Sequence, residues 1–276
     1  METASQNPNQ QLWEKGDFTR IAESMRQSGE QFVDSLGVRP DMAVLDVGCG
    51  DGTTAIPLAR RAARVLGVDI ARNLVEAGNA RAREHGLDNL RFEHGDASRL
   101  DALGDNAFDL SVSVFGAMFA PRPHDVASEL VRVTSPGGRI VMGNWIPGDP
   151  TLVAQILRIS AAYTPPPPEG FISPMMWGVE EQVTERFARA GVASSQLTFT
   201  RERWSFTLPE GPKQMLARFR DYYGPTMNAF AAAEGSGKRD QLQEELDTLF
   251  DAQNASGRDD HTHIPATFLR VVVHVD

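Results

Sequence analysis

One stretch, Val44-Leu45-Asp46-Val47-Gly48-Cys49-Gly50-Asp51-Gly52-Thr53, restricts the fold of this chain more than any other. An apolar run ends in a carboxylate, and three glycines then alternate before an amphipathic segment begins. Glycine suits a tight strand-to-helix turn because it tolerates positive φ and lets a ligand approach bare backbone. At the carboxyl edge of a parallel sheet, such a turn is where nucleoside-bearing cofactors bind. The dinucleotide pattern G-x-G-x-x-G is not met, because the position of its third glycine holds Thr53. Gly48, Gly50 and Gly52 follow G-x-G-x-G instead, with Asp46 two residues ahead.

More segments follow in order. Residues 66–70 (Leu-Gly-Val-Asp-Ile) read as a second strand ending in an acid, Asp69, at about the 20-residue interval expected of a ribose ligand. Residues 92–97 (Phe-Glu-His-Gly-Asp-Ala), residues 108–113 (Phe-Asp-Leu-Ser-Val-Ser) and Pro136-Gly137-Gly138 before residues 139–142 (Arg-Ile-Val-Met) complete the series. These five segments together resemble the motifs of the class I S-adenosylmethionine-dependent methyltransferases. The resemblance covers the first half of the chain and is nearest to the ubiquinone/menaquinone-biosynthesis type.

That resemblance implies an α/β fold: a Rossmann-like, seven-stranded, mostly parallel sheet flanked by helices, its last two strands an antiparallel hairpin. A helical lid is expected after strands five and six. The expected organisation is a helical cap over 1–40, a cofactor-binding core over 41–147, lid insertions plus a sixth strand over 148–263, and a final strand over 264–276. The implied cofactor is S-adenosylmethionine, with S-adenosylhomocysteine as product. Its implied contacts are the glycine loop (Gly48, Gly50, Gly52) with Asp46, Asp69 at the ribose and Ile70 at the adenine face. Asp96 and Ala97 would meet the adenine edge, and the Ser113 carbonyl the methionine moiety. Thr53, Thr54 and Ser98 read mainly as helix-cap residues.

Composition narrows the acceptor. The chain has 276 residues, a formal net charge of −10 and no dense run of Lys or Arg. A phosphate backbone would be repelled, which disfavours nucleic acid. Residues 113–116 (Ser-Val-Phe-Gly) lack the Asn/Asp-Pro-Pro-Tyr/Phe signature of amide and nucleobase amine methylation, and no Pro-Cys dipeptide occurs. A small, apolar or aromatic acceptor is expected, lined by Phe115, Met118, Phe119 and Trp145, and by Trp177, Tyr222 and Tyr223 of the lid. The family has no universal catalytic residue, so none is assigned. His261 and His263 stand without further ligands at metal-site spacing, so no metal is expected. The alternative is an S-adenosylmethionine-binding regulatory or scaffold protein without turnover.

The remaining expectations are local. Cys49 is the only cysteine, consistent with a reducing compartment. No apolar run reaches the roughly 20 residues that span a bilayer, and residues 1–11 carry no leader pattern; a cytoplasmic protein of open oligomeric state is expected. Residues 1–10 should be loose. Ile21, Met25, Phe32 and Leu36 recur at helical spacing. Helices are predicted over 73–85, 125–134 and 179–190, with two or three between 212 and 250. The alternation from Leu197 to Leu208 predicts a strand.

Overall fold

A computed structural model of the chain describes residues 8–276. Five parallel strands come first: β1 (Ala43–Val47), β2 (Arg64–Asp69), β3 (Leu90–His94), β4 (Phe108–Val114) and β5 (Thr134–Trp145). β6 (Leu197–Leu208) and β7 (Thr262–His274) follow, and β7 runs antiparallel between β5 and β6. The order across the sheet is β3-β2-β1-β4-β5-β7-β6. This is the seven-stranded, mostly parallel α/β sheet implied by the resemblance. In β1 (Ala-Val-Leu-Asp-Val) the last four residues are buried, as expected of a strand covered on both faces.

Eleven α-helices are described. α1 (Pro8–Lys15), α2 (Thr19–Ala22) and α3 (Arg26–Asp34) precede the sheet. α4 (Ala55–Ala59), α5 (Arg72–Glu84) and α6 (Pro123–Val133) join parallel strands. α7 (Leu152–Ala161) and α8 (Glu180–Arg189) lie between β5 and β6. α9 (Pro212–Tyr222), α10 (Gly224–Gly235) and α11 (Arg239–Gln253) lie between β6 and β7. The chain leaves β1 for β2 on one side, while β4 flanks β1 on the other. The carboxyl ends of β1 and β4 therefore border a switch point, where open α/β sheets hold ligands.

Two expectations are corrected. Of residues 1–10, the first seven lie outside the described part, but the others open α1 rather than a loose tail. Tertiary contacts hold that helix in place. The Asn9 amide donates to the Phe119 carbonyl, and the Trp13 ring lies edge-on to Phe119 with centroids 5.0 Å apart. The fifth strand also begins before the Pro-Gly-Gly turn, not after it. Gly137 N–H donates to the Val275 carbonyl at 2.7 Å and Val275 N–H to the Gly138 carbonyl at 3.0 Å, so β7's end pairs with the turn. No described helix is long and apolar enough to cross a membrane.

Candidate functional site

The glycine loop after β1 takes the backbone shape that its composition requires. Gly48, Gly50 and Gly52 have φ of 68°, 55° and 93°, a region that side-chain-bearing residues seldom enter. Gly48 also meets another backbone. A Cβ built on it would lie 2.6 Å from the Gly116 Cα and 2.8 Å from the Ala117 nitrogen. That contact brings the end of β4 against the loop. Phe115 supplies the bend there, with a φ of 60°, an outlier for a bulky residue.

Between these elements lies a crevice of about 930 Å³, open solvent at its mouth included, within the 300–1,000 Å³ usual for small-molecule sites. Its two sides differ. On the β3-β2-β1 side the wall carries Asp51, Asp69, Ile70, Asp96 and Ala97 beside the loop. On the β4-β6 side it carries Phe115, Phe119 and Trp204, with Trp13, Phe18 and Met25 supplied by the segment before β1.

Asp69 is buried at the end of β2. One carboxylate oxygen accepts the Gly50 N–H at 2.8 Å and the other the Ala71 N–H at 2.9 Å. Each oxygen has a second lone pair, so a vicinal diol could still donate to both. Burial raises this carboxyl's pKa, against the pull of those amides. Asp96 accepts from the Ser98 N–H at 2.8 Å and hydroxyl at 2.7 Å. Asp51, 2% exposed, is held between Arg26 and Arg81; Arg81 also donates to its backbone carbonyl at 2.6 Å. Arg26 reaches the Thr53 hydroxyl as well, tying α3 to the loop. The bare Gly48 backbone, the buried acid with spare acceptor capacity and the crevice volume together fit a nucleoside-bearing sulfonium cofactor.

Not every expected residue is on the wall. Asp46, Gly52 and Ser113 lie behind it. Asp46 is fully buried and accepts the Thr54 hydroxyl, while a Cβ on Gly52 would meet the Phe92 ring at 2.7 Å. The Ser113 hydroxyl donates to the Val47 carbonyl and accepts the Ala117 N–H. They support the loop and the β4 turn from within. Thr54 holds the N-cap position of α4 without a side-chain capping bond. The Thr53 hydroxyl accepts from Arg26, and the Ser98 hydroxyl accepts from Arg122 while donating to Asp96.

The acceptor lining needs more correction. Phe115 and Phe119 line the crevice, whereas Met118, Trp145, Trp177, Tyr222 and Tyr223 do not. Met118 is buried. Trp145 stacks behind Phe115, centroids 3.7 Å apart. Trp177 packs under the Arg186 guanidinium, 4.5 Å from its ring centre, and Tyr222 is partly open to solvent. Tyr223 is buried between Trp13 and Phe219. The greasy wall comes from the turn after β4, the segment before β1 and β6, not from the insertions. Trp13 and Leu12 are the only large apolar residues between Pro8 and Asp17, which is the one sequence signal for it. Trp204 belongs to an alternating strand, and alternation cannot say which face meets a ligand. His261 and His263 lie off the crevice, His263 bonding to Thr207 across β6 and β7.

Burial has a pH consequence. It pushes the Asp46 carboxyl up to about 7, helped by the nearby Asp69 charge and opposed by the Thr54 hydrogen bond. The unfolded chain releases this proton at the ordinary value for Asp, about 3.9. Between these two values the folded state holds more protons, so this carboxyl's contribution to stability falls as pH rises through the window. Asp46→Asn keeps the shape without the ionisation. Its melting temperature, measured against wild type by scanning fluorimetry, should improve steadily from about pH 4 to about pH 7 and then run parallel. A difference that does not vary with pH would place the titration elsewhere. The Cys49 thiol is also pushed well up by burial and by the Asp69 and Asp46 charges.

Comparison with known proteins accords with this geometry. Residues 44–138 match a methyltransferase domain. Rv1403c, an uncharacterised protein of Mycobacterium tuberculosis, is 31% identical over 231 residues, covering 83% of this chain and 81% of that one. A putative methyltransferase of Bacillus halodurans superposes with a TM-score of 0.62 at 14% identity, over 91% of this chain and 100% of that one. Geranyl diphosphate C-methyltransferase of Streptomyces coelicolor, solved with S-adenosyl-L-homocysteine, gives 0.51 at 20% identity over 94% and 84% of the two chains. These two likenesses show the fold. The chain carries a methyltransferase domain from β1 into β5, on the class I fold, and is an S-adenosylmethionine-dependent methyltransferase.

Proposed function

We propose that this methyltransferase acts on a small apolar or aromatic molecule held against the β4-β6 side of the crevice. The observation that carries the reading is the division of the walls: carboxylates and bare backbone on one side, aromatic rings on the other. A polar cofactor and a greasy acceptor need those two halves, and apolar linings with few polar groups are usual for such ligands. The net charge of −10 supports a partner other than nucleic acid.

In this reading Asp69 accepts both ribose hydroxyls and Ile70 covers one adenine face. Asp96 takes the adenine amino group and the Ala97 N–H a ring nitrogen. The loop 48–52 lies beside the methionine end. S-adenosylmethionine brings an activated methyl carbon on a sulfonium, so the protein's task is alignment. Holding two reactants in line can supply about 7–11 kcal/mol of the barrier. Trp13 and Phe119, edge-on to each other in the lining, add apolar surface to the acceptor side.

The test is transfer of labelled methyl from S-adenosylmethionine to a panel of phenols, amines, thiols and RNA. Label on a small aromatic is expected, and label on RNA alone would overturn the reading. Asp69→Ala should weaken cofactor binding about tenfold or more through lost charge-assisted hydrogen bonds, measured by titration calorimetry. An unchanged dissociation constant would move the ribose elsewhere.

A further inference from the structure

Trp204 closes the aromatic side of the crevice. It is 1% exposed, and its ring stands edge-on to Phe115 at 5.1 Å and to Phe268 at 6.2 Å. Its indole N–H is buried and meets no acceptor among the described residues. Buried indole N–H groups normally find a partner. Trp177 shares this lack but lies off the crevice, whereas Trp204 is one of the residues that line it.

A second observation concerns bases. The titratable side chains on the described wall are Cys49, Asp51, Asp69 and Asp96. All four stand on the glycine loop or at the ends of β2 and β3, and Asp51 is already held by two arginines. The β4-β6 side offers none to an acceptor seated there. A ring carbon methylated in that place would have to shed a proton afterwards, and an amine, cationic near neutral pH, would have to lose one there before it could attack. A hydroxyl that has already ionised has no such need. It also gains from an apolar wall, since the attraction between its charge and a sulfonium grows as the dielectric falls.

We infer that the acceptor is a flat, largely apolar phenol or enol that enters as its oxyanion and takes its hydrogen bond from the Trp204 indole N–H. This rests on the small-molecule methyltransferase reading above. The hydroxyl proton leaves to water before entry. An oxygen lone pair then forms the C–O bond while the methyl carbon's bond to sulfur breaks, and that bond's electron pair stays on sulfur. A cation and an anion become two neutral groups at the reacting atoms, with no proton left in the crevice.

The chain has four tryptophans, so ¹⁵N-labelled protein shows four indole signals. With S-adenosylhomocysteine bound, para-nitrophenol should move one indole proton downfield, whereas nitrobenzene, the same ring without the hydroxyl, should move it far less. Trp204→Phe should remove that signal and weaken para-nitrophenol binding about tenfold while leaving S-adenosylhomocysteine affinity within about twofold. If no indole signal moves in the wild type, or nitrobenzene moves it equally, the inference fails whatever the variant does. Wild-type protein that does not bind S-adenosylhomocysteine at all would instead overturn the reading beneath it.

Discussion

Gly48→Val is expected to lose cofactor affinity by about 100-fold or more, equivalent to about 2.8 kcal/mol. Two effects add. A φ of 68° disfavours any L-residue by roughly 1–2 kcal/mol, and a β-branched one more. The new Cβ would also lie 2.6 Å from the Gly116 Cα, a backbone atom that no rotamer change can move aside. The loop must therefore shift away from β4, carrying the Gly50 N–H off the Asp69 carboxylate that it now meets at 2.8 Å. Titration calorimetry with S-adenosylhomocysteine checks this, with circular dichroism to confirm folding. Affinity within threefold of wild type would show that the loop does not form the cofactor's bed.

Phe115→Ala carries the second large effect. The ring stacks on Trp145 at 3.7 Å and stands edge-on to Trp204 and Phe268 at 5.1 and 5.4 Å. Truncating so enclosed a ring should cost about 3–5 kcal/mol of stability, read as a shift in the denaturant midpoint. Backbone strain gives an internal control. At a φ of 60° glycine bears no Cβ penalty, so Phe115→Gly should be less destabilised than Phe115→Ala by about 1 kcal/mol. If glycine is the worse of the two, the strain at this turn is not real. Losing the ring would also open the acceptor side, so methyl transfer should fall more than cofactor affinity does.

The cofactor side of the crevice was largely legible because its signals are local. Gly48, Gly50 and Gly52 need positive φ, Asp69 must follow a strand, and the β-α alternation places those strand ends on one edge. The aromatic side was much less so. Phe115 and Phe119 follow β4 directly and do line the crevice. Trp13, Phe18, Met25 and Trp204 come from segments distant in sequence, and apolar spacing reports that a residue is buried without saying against what. The same ambiguity sent Trp177 and Tyr223 to the site on paper, whereas they pack into the interior. The Pro-Gly-Gly turn read as a break because nothing nearby announces that Val275 will pair with it.

What the sequence determined alone was the loop, the order of strands and helices, and the chemistry of the acids at the strand ends. Each of these depends on one residue's backbone freedom or on spacing within a few turns of chain. The placement of α1 over the crevice, the choice of aromatic wall and the unpartnered Trp204 donor were decided only by the tertiary structure. Those features depend on contacts between segments up to about 190 residues apart, such as Trp13 and Trp204 about one crevice, and packing of that kind leaves no periodic trace in either segment.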